Sequence, residues 1–326
     1  MTERQFSKGD VIFREGEQGE CFFQIESGVV GIYANYGENG ENLLTELRKD
    51  QYFGEMAVIE AYPRSATAVA IDNNVKLIEI PSGEIDDYFK SQPDKILDIM
   101  KHLSNRVKGL TEDYTDVSEA IRELKPGQGE ERSESLIGKI KKFARIYKNS
   151  QKSADIVSAE TLRKLEQKDH SAGYIKNVES YSKGTIIFKE GELGKCMYDV
   201  HSGKVGIYKD YGKAEEKLLT ELTANQFFGE MGMVNEDRRT ATAVVMENDT
   251  TVEIIYPEDL NELFENNPLK VNMILVHLSS RLRRLTKEYM SACKLVYDIS
   301  DKEDKGEAVS GDLKDRADAF SPNYYD

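Results

Sequence analysis

The chain repeats itself, and this repeat limits its possible folds more than any other feature. The segment FSKGDVIFREG at 6–16 returns as YSKGTIIFKEG at 181–191, an offset of 175 residues. The same offset carries FGEM at 53–56 onto FGEM at 228–231, and no gap is needed to align them. Self-similarity at a fixed offset indicates that one structural unit occurs twice. We therefore predict two tandem copies of a single domain.

Each copy begins with short β-rich runs. In the first copy they are VIFRE, CFFQIESGVVGIYANY, SATAVAI and NVKLIEI, and Gly, Asn and Ser separate them. Runs of this kind with turn residues between them are typical of an antiparallel sandwich or barrel. After Pro81 the alternating pattern gives way to helical spacing. The sequence therefore predicts a mainly β fold with added α-helices.

The helical part of each copy has apolar residues at alternating steps of three and four. In the first copy these are Ile96, Met100, Leu103, Val107, Leu110, Tyr114, Val117, Ile121 and Leu124, and in the second Val271, Leu275, Leu278, Leu282, Leu285, Tyr289, Ala292, Val296 and Ile299. About four heptads predict a helix of roughly 45 Å with a coiled-coil seam. A long helix packed only on its own β domain is the alternative. We predict that the two seams pair within one chain as a pseudo-dimer, with pairing between chains as the competing arrangement.

The segment between the copies contains one amphipathic element. Leu136, Ile140, Phe143 and Tyr147 form an apolar stripe, and five bases with no acid surround it: Lys139, Lys141, Lys142, Arg145 and Lys148. A basic helix of this kind can dock on a partner or a membrane, but we favour docking on the acidic domains of its own chain. The predicted organisation is 1–124 for the first copy, 125–175 for the linker, 176–300 for the second copy and 301–326 for an acidic, disordered tail.

Composition excludes several functional classes. With 59 acidic and 44 basic residues, the net charge of −15 argues against nucleic acid and anionic lipid as partners. No apolar run approaches the roughly 18 residues of a membrane-spanning helix. The absence of an apolar N-terminal segment and of any CxxC pair among the three cysteines predicts a cytoplasmic protein. Because no nucleophile–base set or metal-ligand cluster is evident, we predict neither an enzyme nor a metal or cofactor.

The best-matched stretch of the repeat has the parts of an anion site. It reads FGEMAVIEAYPRSATAVA at 53–70 and FGEMGMVNEDRRTATAVV at 228–245. The glycines, Gly54 and Gly229, allow the backbone to approach a ligand closely. The short helical turn predicted after each glycine offers free N–H groups and the positive end of a dipole. Both features favour a bound phosphate.

Two charged residues complete each copy of this stretch. Arg64 and Arg239 follow the glycine by ten residues, and a guanidinium suits a fork-like grip on phosphate oxygens. Glu55 and Glu230 would repel a phosphate directly, so we expect each to face a hydroxyl donor such as a ribose 2′-OH. The alternative is a structural remnant in which Glu55 and Arg64 pair with each other.

At these residues the chain resembles the cyclic nucleotide-binding domain family, found in catabolite-activator-type regulators, protein kinase A regulatory subunits and gated channels. The motif is FGE followed by R-[ST]-A-[TS], the phosphate-binding cassette, and both copies carry it whole. We call 53–70 the first cassette and 228–245 the second cassette. The resemblance covers about 6–116 and 181–291, and it implies a β jelly roll with a lid helix in each copy. The implied ligand is cAMP or cGMP.

The resemblance also implies the binding residues. Glu55 and Glu230 would be ribose ligands, and Arg64 and Arg239 phosphate ligands. The full predicted set is Gly54, Glu55, Met56, Ala57, Arg64, Ser65, Ala66 and Thr111 in the first copy, and Gly229, Glu230, Met231, Gly232, Arg239, Thr240, Ala241 and Thr286 in the second. Activator-type members place a Thr-Ser pair against the base, and here only Thr111 and Thr286 match it. His102 and His277 are expected to flank the seam without binding ligand.

These features predict a non-enzymatic sensor of cyclic nucleotides that signals through its helices to an unknown protein effector. One alternative is an interaction scaffold of the same fold that binds no ligand. Another is a transcription regulator, although no helix-turn-helix is recognisable after Ile299. A kinase-type regulatory subunit is a third, although only five residues precede Phe6.

Overall fold

Each copy is built on two four-stranded antiparallel sheets. The computed structural model describes residues 1–38, 41–55, 58, 64–124, 134–149, 175–305 and 309–320. The strands described in the first copy are β1 (Thr2–Phe6), β2 (Val11–Phe13), β3 (Cys21–Ser27), β4 (Val30–Ala34), β5 (Asn42–Leu47), β6 (Tyr52–Phe53), β7 (Thr67–Ala70) and β8 (Val75–Pro81). Their order is β1-β8-β3-β6 in one sheet and β2-β7-β4-β5 in the other.

The second copy repeats this arrangement. Its described strands are β9 (Val178–Tyr181), β10 (Ile186–Phe188), β11 (Met197–Ser202), β12 (Val205–Lys209), β13 (Lys217–Leu222), β14 (Phe227–Phe228), β15 (Thr242–Val245) and β16 (Thr250–Ile255). The sheet orders are β14-β11-β16-β9 and β10-β15-β12-β13, which match those of the first copy strand for strand. The predicted mainly β fold in two tandem copies is therefore confirmed.

The central strand β3 is buried on both faces over residues 22–25. Phe23 and Ile25 pack between the two sheets against Ile32 of the opposite sheet. Phe22, which precedes Phe23, points the other way and packs with Ile80 among the helices. Because successive side chains of a strand alternate between faces, β3 contributes to the sandwich core and to the helical core at once.

Seven α-helices lie in the described residues. They are α1 (Ile85–Ser91), α2 (Asp94–Glu123), α3 (Glu134–Asn149), α4 (Glu230–Val234), α5 (Leu260–Asn266), α6 (Pro268–Asp304) and α7 (Gly311–Asp318). The long helices α2 and α6 pack against each other, and their seam residues share one buried core. Only Leu110 among these residues is partly exposed. The alternative in which each long helix contacts its own β domain alone is therefore wrong.

The basic helix predicted in the linker is present as α3 and docks on its own chain. Leu136, Ile140 and Phe143 of its apolar stripe are buried. The ring of Phe143 meets that of Tyr289 on α6, with 6.5 Å between the centroids. Lysines of α3 also pair with acids of α2, namely Lys139 with Glu119 at 3.3 Å and Lys142 with Asp113 at 3.2 Å. Docking on the chain's own acidic surface, the favoured interpretation, is confirmed.

The prediction that residues 301–326 form a disordered tail is wrong for much of this segment. Helix α6 continues to Asp304, and α7 follows with a side-chain cap from Ser310. Leu313 and Ala317, four residues apart, bury one face of α7, and Phe320 lies edge-on to Tyr114 with ring centroids 6.3 Å apart. Two apolar residues are too few to show helical periodicity. The acidic composition of the segment, in contrast, is typical of disorder. Residues 306–308 and 321–326 lie outside the described residues.

Among the described helices, none combines the length and apolar content that crossing a bilayer requires.

Candidate functional site

Each cassette begins at a glycine whose backbone and lack of a side chain are both required. Gly54 has φ +79° and Gly229 has φ +75°, in the left-handed region. A Cβ atom on Gly54 would lie 2.6 Å from Nη1 of Arg64, and one on Gly229 would lie 2.7 Å from Nη1 of Arg239. The glycine therefore makes room for the guanidinium that follows it by ten residues.

The arginines are buried, and the two copies hold them in the same way. Arg64 is 3% exposed and donates from Nη1 to the Gly54 carbonyl at 2.7 Å and from Nη2 to the Cys21 carbonyl at 2.6 Å. Its guanidinium lies over the ring of Phe13, 4.1 Å from the centroid. In the second copy Arg239 makes the corresponding contacts with the carbonyls of Gly229 and Cys196 and with the ring of Phe188.

Neither guanidinium has its charge fully compensated within the described residues. The Nε–H groups of Arg64 and Arg239 are buried and have no hydrogen-bond partner, and no carboxylate forms an ion pair with either side chain there. Burial lowers the pKa of Arg64, although Cys21 and Glu55 act in the opposite direction. A buried cation with a free donor is a favourable environment for an anion.

Each cassette carboxylate pairs with a long helix instead of with the cassette arginine. Glu55 is 1% exposed, and its Oε1 accepts from Nη1 of Arg106 on α2 at 2.9 Å. In the second copy Oε1 of Glu230 accepts from Nη1 of Arg281 on α6. Burial acts to raise the pKa of Glu230, but Arg281 and its neighbour His277 outweigh burial and hold the pKa below its ordinary value. The alternative in which Glu55 pairs with Arg64 is wrong for this structure.

The second oxygen of Glu55 has no partner among the residues that the structure describes. Oε2 is buried and accepts no hydrogen bond from them, so it can still receive one from a hydroxyl donor. An unsatisfied buried carboxylate oxygen is costly, and a ribose hydroxyl is one group that would satisfy it.

His102 and His277, which flank the seams, lie closer to the cassette carboxylates than the sequence suggested. His102 Nε2 is 4.0 Å from Glu55 Oε1, and His277 Nε2 is 3.9 Å from Glu230 Oε1. Burial lowers the pKa of His102 to about 4 although Glu55 opposes this, so its imidazole is neutral at pH 7. The sequence did contain a signal for this arrangement. The offset of 175 carries both His102 onto His277 and Arg106 onto Arg281, an i, i+4 pair on one helix face.

The remaining predicted cassette residues differ in their burial. Ala66 and Ala241 are buried, whereas Ser65 and Thr240 are exposed beside them. Gly232 is buried, and a Cβ atom on this residue would lie 3.1 Å from Nη1 of Arg239. Met56 and Ala57 lie outside the described residues.

Within the described parts of the cassettes, the threonines predicted to face a base have no hydrogen bond to a cassette residue. Thr111 Oγ1 donates to the Val107 carbonyl at 2.8 Å, and Thr286 Oγ1 donates to the Leu282 carbonyl at 2.7 Å. Both bonds run back along the threonine's own helix, one turn away. The role of Thr111 and Thr286 in base recognition stays a prediction.

The second cassette also contacts the long helix of the first copy. Ser104 on α2 donates to Sδ of Met231 at 3.1 Å and accepts from Nδ2 of Asn235 at 3.0 Å. One turn further along α2, Lys108 pairs with Asp237 at 2.6 Å. Because Arg106 lies between Ser104 and Lys108 in sequence and pairs with Glu55, one turn of α2 contacts both cassettes.

Two curated proteins illustrate what the sequence is similar to. A cAMP-dependent protein kinase regulatory subunit of Debaryomyces hansenii is 26% identical over 247 residues, which are 76% of this chain and 42% of that protein. The Cyclic AMP receptor protein of Thermus thermophilus is 35% identical over 108 residues, 33% of this chain and 50% of that protein. The chain thus spans half or less of the length of these curated relatives.

A solved structure described as cAMP-bound PfPKA-R (141-441) is 18% identical and covers 96% of this chain and 83% of its own, with a TM-score of 0.33. The model of the cyclic nucleotide-binding domain family, however, matches residues 3–92 and again residues 178–267. These two matches together span more than half of the chain and contain both cassettes, so the chain belongs to the cyclic nucleotide-binding domain family.

Proposed function

We propose that this protein is a non-enzymatic cytoplasmic sensor that binds cAMP or cGMP in both cassettes and signals occupancy through α2 and α6 to a protein effector. The observation that carries the proposal is the ion pair between each buried cassette carboxylate and its long helix. A ligand that engages Glu55 or Glu230 must change the surroundings of Arg106 or Arg281. Occupancy is thereby linked to the position of a helix.

The chemistry left open in the first cassette supports a cyclic nucleotide. The Nε–H of Arg64 is a buried donor suited to a phosphate oxygen, and Oε2 of Glu55 is a buried acceptor suited to a ribose hydroxyl. Both groups lie in the one stretch whose sequence is best matched between the copies. An anionic group and a hydroxyl donor on one small molecule would satisfy both.

The packing of α2 on α6 supports transmission within one chain. We propose that these helices form the intrachain pseudo-dimer through which the two sites communicate. Ser104 and Lys108 of α2 contact the second cassette, while Arg106 of the same turn contacts the first. A shift of that turn on ligand binding would be felt at both sites, and such coupling is reciprocal.

Calorimetric titration of the whole chain with cAMP and with cGMP tests the proposal. We expect one or both nucleotides to bind at two sites per chain. Arg64→Ala and Arg239→Ala should each weaken one site about 100-fold, because each removes a charge-assisted contact to phosphate worth about 2–3 kcal/mol. Arg48→Ala, at an arginine exposed on the surface, is the matched control and should leave both sites intact.

Two results would overturn the proposal. If the unmodified chain, shown to be folded by circular dichroism, binds neither nucleotide, the scaffold without ligand is the better description. If Arg48→Ala weakens binding as much as Arg64→Ala, the loss reflects general charge and not the cassette. Arg64→Lys preserves the charge but removes the guanidinium. If this variant folds and still loses binding, the contact depends on the guanidinium and not on charge alone.

A further inference from the structure

The second copy has a buried cluster of charges where α6 begins. Lys270, in the first turn of α6, is fully buried, and its Nζ contacts Oδ2 of Asp199 at 3.1 Å and Oε2 of Glu253. His201 Nε2 lies 3.0 Å from the same Glu253 oxygen and 3.6 Å from Oδ2 of Asp199. Two carboxylates thus face an ammonium group and an imidazole.

The cluster joins the sheet to the helix. Asp199 on β11 and Glu253 on β16 are direct partners in the antiparallel register, so their negative charges lie side by side. Their mutual repulsion is offset by His201 from β11 and by Lys270 from α6. Hydrogen bonds to Asp199 and Glu253 raise the pKa of His201 to about 9 against the effect of burial, which keeps the imidazole charged at pH 7.

A divalent metal ion is not needed to explain this group. Ligand atoms of Asp199, His201 and Glu253 lie within 4.8 Å of one another, a spacing that a metal ion can use. The Lys270 ammonium, however, already contacts both carboxylates. The chain itself supplies the cation.

The first copy has no such ionic connection in its described residues. The offset of 175 places Gln24 and Ile78 where the second copy has its two acids. Lys95 is the counterpart of Lys270, but its side chain is partly exposed and pairs with Asp98 on its own helix at 3.0 Å. The base of α2 is therefore not tied to its sheet by a lysine.

Neutral groups occupy the equivalent position in the first copy. The Tyr88 hydroxyl donates to Oε1 of Gln24 at 3.4 Å and lies 3.2 Å from the Tyr52 hydroxyl. Phe227 and Leu263 replace these tyrosines in the second copy. One location in the domain thus has hydrogen-bonded hydroxyls in one copy and buried ions in the other.

We propose that Asp199, His201, Glu253 and Lys270 form a latch that fixes the base of α6 to the second β domain, and that the base of α2 is the more mobile of the two. Removing one partner from a buried ion pair leaves an uncompensated charge and costs more than losing a neutral hydrogen bond. When a β domain moves relative to the paired helices, the displacement would then occur first at the base of α2. The proposal concerns the chain without ligand and does not depend on the proposed function.

Amide hydrogen exchange of the full chain, followed by mass spectrometry, tests the latch. In the unmodified protein we expect residues 268–275 to exchange more slowly than residues 93–100 after correction for intrinsic rates. Lys270→Met should speed exchange at 268–275 by about 100-fold because it strands two buried carboxylates. The matched control Lys95→Met should change exchange at 93–100 less than about twofold, because Lys95 forms a surface pair only.

If Lys270→Met fails to fold, a variant that leaves no uncompensated buried charge still tests the proposal. Asp199→Asn, Glu253→Gln and Lys270→Met combined preserve volume and leave no buried ion pair to break. We expect this triple variant to fold and to exchange at 268–275 at a rate close to that of 93–100. Equal exchange at the two helix bases in the unmodified protein would overturn the proposal, and so would a folded triple variant that keeps the slow exchange at 268–275.

Discussion

Gly54 and Arg64 act as one unit although ten residues separate them. The guanidinium occupies the space that any side chain at position 54 would need, and it donates to the carbonyl of that same glycine. Gly229 and Arg239 repeat this relation in the second copy. The motif therefore contains a packing requirement, because the arginine cannot hold this position beside a residue larger than glycine.

Gly54→Ala should destabilise the protein by about 1–3 kcal/mol, because it adds backbone strain and a clash with Arg64. Gly37→Ala is the matched control, since Gly37 has φ +75° but nothing within 4 Å of a Cβ atom. Urea unfolding of both variants separates strain from the clash. We expect Gly54→Ala to cost more, and equal losses would show that the arginine yields without penalty.

His102 should make the protein sensitive to acid. Its pKa is about 4 in the folded chain and near 6.5 when unfolded, so the unfolded state binds the proton more readily between these values. The stability associated with neutral His102 is therefore present above pH 6.5 and falls by up to about 3 kcal/mol as the pH drops to 4. Unfolding curves measured at several pH values should show that the free energy of unfolding of His102→Gln lacks this decrease.

His201 provides a control of opposite sign. Its folded pKa of about 9 lies above the unfolded value, so its contribution is complete below pH 6.5 and is lost as the pH rises through 9. His201→Gln should therefore change the alkaline side of the stability profile. If both histidine variants alter the same pH range, the assignment of the acid effect to His102 is wrong.

At the scale of elements, α3 is held mainly by apolar contact. Its ion pairs with Asp113 and Glu119 are exposed, and pairs of that kind contribute about 0–1 kcal/mol each. Phe143, in contrast, is fully buried against α6. The basic face of α3 therefore directs the helix onto an acidic surface, whereas the apolar stripe keeps it there.

Phe143→Ala should cost about 3–5 kcal/mol, because it removes a fully buried aromatic side chain and leaves a cavity. Ile137→Ala on the same helix is the control, since Ile137 is 39% exposed and should cost less than about 1 kcal/mol. Denaturant unfolding measures both. Detachment of α3 by high salt alone would contradict an apolar anchor, because salt weakens only the ion pairs.

Elements that repeat or have a regular period could be predicted from the sequence. The repeated β-rich runs predicted the two β domains, and the three–four spacing of residues such as Leu103 and Leu278 predicted both seams. The repeat singles out Arg106 by its counterpart Arg281, but its partner Glu55 could not be predicted, because the two lie 51 positions apart and no local pattern joins them. The cluster around Lys270 was missed for the same reason, since two strands and a helix each supply part of it.

At the scale of the whole molecule, α2 and α6 bring together two halves that would otherwise be separate domains. Residues of both long helices, of α3 and of α7 belong to one apolar core, whereas each β domain has a core of its own. The helices therefore provide an apolar surface that the two halves share. The communication proposed between the copies would therefore depend on the same residues that stabilise the helical core.

Because the seams are paired within the chain, we expect a monomer of 37.0 kDa in solution. Sedimentation velocity at micromolar concentration measures this directly. A dimer that persists on dilution, with cross-links between residues of α2 in one chain and α6 in another, would show exchange of the long helices between chains. That result would contradict the intrachain pseudo-dimer.

The packing of α2 on α6 has a genetic consequence. In a symmetric dimer of identical subunits, every substitution appears in both halves at once, so neither half can specialise without altering the other. Here a single codon change alters only one half, and the two halves are always made in equal numbers. The buried ions of the second copy and the hydroxyls of the first are the kind of divergence that such an arrangement permits.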